Sequence, residues 1–467
     1  MTADVVVIGA GVAGLSAAVR LIDAGLRVAV VEEAPRLGGR ATAFTDRESG
    51  ERVDNGQHVL FGCYHETYGF LRRLGTDSLA PLQRRLALTM VGPTGHQSRL
   101  ECPDWRPPWH LVGGVLRWSV LPLADRLTAL RLRRLFGDVR RDGAAAVAAR
   151  VPPDQTVSRW LEANGQSARL SEWLWHPLAI AALNQSPDEA AAAPFVRVLG
   201  ELFGPNVEDS AIGMSSVPLD ELYADPALRL IESAGGAVLK RSAARIHVDS
   251  QGAIDCVETG ATRIHTSVVV SAVPWHALGR IWLDAPPAAI QSLIEHAAAL
   301  GSSPIVTVNL WYGGAVMSEP FIGLIGGPMH WVFDKSAILA LHRSNGAAGK
   351  SGHLSIVASG AAELAEMDNA AITAAARRQL EQALPRTAAT RFLRSVVVRE
   401  HRATFSLAPG GPPRPKATTN LRGFYLAGDW TDTGLPGTIE GAVQSGRTAA
   451  ELVMRDARVE VSAVEKM

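Results

Sequence analysis

The chain has 467 residues, 47% of them hydrophobic and 20% charged, with 46 basic and 46 acidic side chains. This composition supports a sizeable core shared by two or three domains, excludes a disordered chain, and leaves no global basic field for nucleic acid. The three cysteines, Cys63, Cys102 and Cys256, are widely spaced and form no Cys-x-x-Cys, so no disulfide framework and no metal site are expected, and a reducing cytoplasm fits.

The chain opens with "DVVVIGAGVAGLSAAVRLIDAGLRVAVVEE". The β-branched run Val5 to Ile8 predicts a strand. Leu15 to Ala24 has helical apolar spacing, Gly25 can end that helix, and Arg27 to Val31 predicts a second strand. Gly9, Gly11 and Gly14 form GxGxxG between them, and Glu32, followed by Glu33, closes the unit. This is the βαβ dinucleotide fingerprint in its expected context. The glycines permit a tight turn and close approach of backbone to a pyrophosphate, the helix N-terminus stabilises its charge, and Glu32 can accept hydrogen bonds from a ribose. The competing reading is a Gly-rich turn in an ordinary α/β unit. No basic leader region is read before the first strand, and no uninterrupted apolar run of about 18 residues suggests a spanning helix.

"RLGGR", residues 36–40, follows the acid directly. It resembles the second glycine motif of flavin amine oxidases and carotenoid desaturases. That resemblance favours FAD over NAD, with Gly39 passing close to the cofactor and Arg40 neutralising phosphate. Next, "DNGQHVLFGCY" (54–64) sets Asp54, Asn55, Gln57 and His58 against the apolar run Val59-Leu60-Phe61. Asp54 and Asn55 read as turn formers.

Residues 105–141 mix Trp105, Trp109 and Trp118 with leucines, and seven arginines face two aspartates from Arg117 to Arg141. That pattern suits either an interfacial helix on anionic lipid or an amphipathic helix with a solvated face. In 169–195, Trp173, Trp175, Leu178 and Leu183 are expected in a helical core or along a hydrophobic tunnel, and His176 before Pro177 reads as structural. Residues 235–275 predict several short strands with turns at Gly235-Gly236, Ser250 to Gly252 and Gly260. Finally, "GFYLAGDWTDTGLPGTIEGAVQSGRTAAELV" (423–453) predicts a strand from Phe424 to Ala427, and then a helix opening at Gly437 or Thr438. Its small residues Gly441, Ala442, Ser445 and Gly446 permit close packing.

Taken together, these segments resemble the squalene and phytoene desaturase branch of the flavin amine oxidoreductases over nearly the full length. "DNGQHVLFGCY" is similar to a segment of plant-type phytoene desaturases. "ALNQSP" (182–187) and "GLPGTIEGAV" (434–443) bring the chain nearer to the squalene-associated FAD-dependent desaturases, the hydroxysqualene dehydroxylases. The resemblance implies an α/β fold, with a Rossmann-type FAD-binding domain interleaved with a mixed α+β substrate domain. The cofactor domain would comprise 1–65, 213–280 and 395–467, and the substrate domain 66–212 and 281–394. It further implies FAD held by Gly9, Gly11, Gly14, Glu32, Glu33, Gly39, Arg40, Gly56, Gln57, His58, Ile246, Gly428, Asp429, Thr438 and Ile439. The implied reaction is reduction of 12-hydroxysqualene to squalene. Protonation of the allylic hydroxyl would release water, and flavin would deliver hydride to the allyl cation. His58 is the first candidate acid and Asp432 the second. Phe61, Trp173 and Trp175 would contact the isoprenoid.

A C30 substrate resides in membrane, so the expected location is cytoplasmic, peripherally on the inner face of the cell membrane at 105–141. Upstream squalene-pathway synthases are the expected protein partners. The chief alternative is a carotenoid desaturase of the phytoene or diapophytoene type, moving hydride in the opposite direction. An amine oxidase is less favoured because "GSSPIVTVNLWYGG" (301–314) carries no lysine. Protoporphyrinogen oxidase, a polyene isomerase and a non-enzymatic isoprenoid carrier complete the set.

Overall fold

The structure is a computed structural model and describes residues 1–340 and 352–464. Five short strands form a parallel sheet in the order Phe424–Leu426, Val269–Ser271, Val5–Ile8, Val28–Val31, Ala237–Leu239. Val5–Ile8 and Val28–Val31 are buried along their whole length, which is why they read as continuous apolar runs and do not alternate. The connecting helix is Val12–Asp23, starting earlier than the apolar spacing suggests, because Gly11 serves as its N-cap in extended conformation.

The last helix, Ile439–Val464, packs on Val12–Asp23. The small residues make this possible: a Cβ at Gly446 would lie 2.2 Å from the carbonyl oxygen of Ala13. The segment 235–275 divides between two sheets. Ala237–Leu239 and Val269–Ser271 enter the parallel sheet, while Ala244–Val248, Ile254–Thr259 and Thr262–His265 form an antiparallel one.

A seven-stranded sheet builds the opposite side, in the order Phe392–Phe405, Ser302–Tyr312, Gly352–Ser359, Trp331–Asp334, Phe321–Leu324, Ala87–Val91, Gln97–Glu101. Its outer strand runs unbroken through position 395, where the sequence suggested a domain boundary. It pairs along most of its length with Ser302–Tyr312, with register shifts near both ends. Helices between 109 and 202 follow the strands Ala87–Val91 and Gln97–Glu101 in the chain. Residues 105–141 do not form one interfacial helix. They divide into Trp109–Arg117, Leu123–Thr128, a 3₁₀ turn at Ala129–Leu132, and Arg133–Asp142. Pro122, which has no N–H to continue an incoming helix, sits at the N-cap of the second. Among the described residues, no helix is long and apolar enough to cross a membrane.

Candidate active site

One cavity of about 790 Å³ runs from the glycine loop into the layer between the seven-stranded sheet and the helices. Its polar end is lined by Gly9, Gly11, Glu32, Glu33, Gly39, Arg40, Gly428, Asp429, Thr438 and Ile439. The glycines there are dictated by space. A Cβ on Gly14 would stand 1.9 Å from the carbonyl oxygen of Gly9, so any larger residue would push the helix off its strand. Gly9 itself has φ +101°, a region that side chains disfavour. Gly11 differs: a Cβ there would meet nothing nearer than Gly39 Cα at 4.0 Å, so the loop is bare where it faces the cavity. Glu32 accepts from the N–H groups of Ala10 and Ala34, both at 2.7 Å, which fixes its carboxylate beside this loop.

The first and last motifs meet directly. Arg40 Nη2 donates to Asp429 Oδ1 at 2.6 Å, and Nη1 donates to the carbonyl of Ala403. The family resemblance placed both side chains at the cofactor, Arg40 against its phosphate. In the folded chain they also neutralise one another, so Arg40 presents an oriented pair and not a bare cation. Gly428 N–H donates to Ser445 Oγ, tying the strand end to the last helix. The bare loop, the carboxylate at the strand end, and two helix N-termini facing one cavity fit a flavin dinucleotide. Reduced flavin is anionic, and the N-terminus at Thr438–Ile439 favours that charge.

Gly56, Gln57 and His58 form the middle of the cavity wall. His58 is half-buried, and its Nδ1 donates to the carbonyl of Gly56 at 2.9 Å, which leaves Nε2 as the nitrogen not engaged by Gly56. Desolvation lowers its pKa below 6.5. The Gly56 hydrogen bond and the charge of Asp54 oppose that shift, while Arg40 and Lys335 add to it.

Beyond His58 the cavity becomes apolar. Phe61, Leu88, Leu111, Val115, Phe136, Trp173, Trp175, Leu178, Phe203, Trp331 and Phe333 line this arm. Trp173 and Trp175 lie on a π-helical turn, Ser171–Trp175, followed by Pro177 near the start of His176–Leu183. Pro177 cannot donate the next helical bond, and the wider turn accommodates that loss while turning both rings to the cavity. The two readings of this segment therefore coincide, because the indoles are core residues that also line the arm.

Three expected residues lie off the cavity wall. Gly14 packs beneath the loop, as its contact with Gly9 requires. Ile246 is spent within the fold, its N–H donating to Ile281 O at 2.6 Å and its carbonyl accepting from Leu283 at 2.9 Å; Ala244 and Arg245 line the cavity in its place. Asp432 is exposed and outside the cavity. Its N–H donates to Pro415 O at 2.7 Å, and its place off the cavity wall counts against it as candidate acid.

The fold also brings together groups whose contacts have no sequence signal. Arg245, Arg280, Glu400 and Arg402 line the polar end. Glu440 accepts from Glu66 N–H, Thr67 N–H and Thr67 Oγ, capping the helix His65–Leu74 from another part of the chain. Lys335 reaches Asp54 and Gln57, although the strand 301–314 carries no lysine. Only long-range packing brings these groups into place, so no local pattern could have announced them.

The sequence model for flavin-containing amine oxidoreductases matches residues 12–454. The chain belongs to that family. It is an FAD-dependent oxidoreductase of α/β fold. Among its curated relatives is a hydroxysqualene dehydroxylase of Sinorhizobium fredii, 28% identical over 98% of this chain and 99% of the relative. A 15-cis-phytoene desaturase of an Oncidium hybrid cultivar is 25% identical over 97% of this chain and 78% of its own length. The fold is shared with putrescine oxidase bound to putrescine, at TM-score 0.70 and 17% identity, covering 97% of this chain and 99% of that one.

Proposed function

We propose that the protein reductively removes the hydroxyl of hydroxysqualene to give squalene, as an FAD-dependent step in hopanoid and isoprenoid synthesis. The observation that carries this reading is the single cavity joining a dinucleotide cradle to a long apolar arm. A small charged amine would gain nothing from that arm, whereas a C30 chain would bury most of its surface there. The family likeness to hydroxysqualene dehydroxylases over both full lengths supports the same substrate class.

FAD supplies hydride chemistry when bound. The chain's own residues prepare the substrate. His58 receives a proton at Nε2 and passes it to the allylic hydroxyl. The C–O bond then breaks, water leaves, and the hydroxyl carbon becomes part of an allyl cation. Phe61, Trp173 and Trp175 line the arm and would lend aromatic surface to that cation, and the apolar arm would withhold water that could recapture it. Bound FAD would supply the hydride that such a cation needs to become a neutral hydrocarbon.

Membrane contact is part of the proposal. Trp109 is 56% exposed and Leu123 63%, and Trp105 and Leu127 are exposed beside them. The same stretch supplies Leu111, Val112, Val115 and Ala129 to the arm. One face would therefore meet lipid while the other receives the substrate, with Arg133 and Arg134 exposed toward anionic headgroups. Upstream synthases would hand over their product at this face.

The second reading is a carotenoid desaturase, favoured by the phytoene desaturase relatives. Anaerobic, dithionite-reduced protein mixed with 12-hydroxysqualene separates the two. Stoichiometric squalene, identified by mass, supports dehydroxylation. Unchanged alcohol, together with phytoene oxidation under quinone, refutes it.

A further inference from the structure

Lys335 is the most deeply enclosed cation near the cavity, with a side chain 4% exposed. Its Nζ donates to Asp54 Oδ2 at 2.8 Å and to Gln57 Oε1 at 2.9 Å. Asp54 is itself 9% exposed, and its other oxygen accepts from Leu219 N–H at 3.1 Å. Gln57 passes the constraint on, its Nε2 donating to the carbonyl of His58 at 3.2 Å. Gln57 and His58 are cavity-wall residues, while Lys335 and Asp54 are not.

We propose that Lys335 is a positioning residue that fastens the Gln57–His58 turn to the seven-stranded sheet and sets how both side chains face the reacting centre. This inference rests on the reading that His58 and Gln57 meet the substrate.

Two features favour positioning over mere charge balance. Asp54 alone would neutralise the ammonium, yet the second bond goes to a neutral amide on the cavity wall. A buried ion pair is also poor value for stability, since well-packed apolar groups commonly do as well. Lys335 also directly follows Trp331–Asp334, whose alternate residues Trp331 and Phe333 line the apolar arm. The same short stretch therefore shapes the apolar wall and holds the polar turn.

The test uses the FAD-loaded full chain with Lys335→Met and the double variant Asp54→Asn/Lys335→Met. Lys335→Met is expected to keep FAD and to lose about 10- to 100-fold in kcat with KM little changed, as expected for a misplaced acid. The charged groups facing His58 are Asp54, Arg40 and Lys335, with Arg40 paired to Asp429. Removing Lys335 takes away a cation that opposes protonation and leaves Asp54 unpaired, so the His58 titration, followed by ¹⁵N-histidine NMR without substrate, should move to higher pH. The double variant removes the unpaired carboxylate, so it keeps the test open if Lys335→Met fails to fold. Its melting temperature should recover while kcat stays low, because Gln57 still lacks its anchor. Wild-type kcat in either folded variant, or an unmoved His58 titration in Lys335→Met, overturns the proposal. The NMR result does not depend on which isoprenoid is turned over, so failure of the dehydroxylase reading is distinguishable from failure of this one.

Discussion

Gly11 and Gly14 belong to one motif, yet the structure assigns them different duties, and substituting each with alanine separates those duties. At Gly14 the new Cβ would lie 1.9 Å from Gly9 O, about 1.5 Å inside an ordinary contact of roughly 3.4 Å. Backbone must move, since neither atom sits on a flexible side chain. The expected cost is about 1–3 kcal/mol of overpacking, with or without cofactor. At Gly11 the new Cβ has 4.0 Å of clearance, and φ −73° suits alanine. Apo Gly11→Ala should therefore be as stable as wild type, or up to about 1 kcal/mol more so through a less flexible unfolded chain. What it loses is the bare approach to pyrophosphate. Wild type at 100 times its Kd for FAD gains about 2.7 kcal/mol from binding, and Gly11→Ala should forfeit most of that gain. Thermal melts with and without FAD, together with the flavin absorbance of purified protein, measure both terms. Gly11→Ala that purifies with full flavin content, or Gly14→Ala that melts with wild type in the apo state, would refute the reasoning.

Ala182 also lines the cavity, and narrowing it with Ala182→Phe should leave flavin content intact and cut turnover of the C30 alcohol at least about tenfold; unchanged turnover would remove this wall from the substrate path. If His58 delivers the proton, kcat/KM should rise as pH falls through a value below 6.5, since desolvation depresses the pKa of His58, and His58→Ala should abolish that limb while retaining flavin. Stability should move the other way. Desolvation holds His330 at about 4 and His353 at about 3, so below pH 6.5 the unfolded chain binds protons that the folded chain refuses. Each such histidine then costs about 1.4 kcal/mol per pH unit until its folded pKa is reached, and a melting temperature that stays flat from pH 7 to 5 would contradict this. Replacing Trp109 and Leu123 with serine should reduce flotation with anionic liposomes without lowering flavin content, whereas unchanged flotation would count against the membrane-facing surface.

The cofactor half of this protein is legible in its sequence because its chemistry is local. Gly9, Gly11, Gly14 and Glu32 lie within one βαβ unit, and the contacts that demand glycine are made inside that unit or with the adjoining strand. The Thr438–Ile439 helix start and the paired indoles of Trp173 and Trp175 likewise follow from short spacings and a nearby Pro177. Tertiary structure alone decided which side chains act together. Arg40 and Asp429 are 389 positions apart and meet as a pair. Lys335 reaches Asp54 across 281 positions, and Glu440 caps a helix more than 370 residues upstream. Asp432 shares a segment with Asp429 yet is exposed and lies off the cavity wall. Local patterns record what a residue needs from its neighbours in the chain, whereas a buried charge needs a partner in space, and in this fold that partner lies on a distant part of the chain.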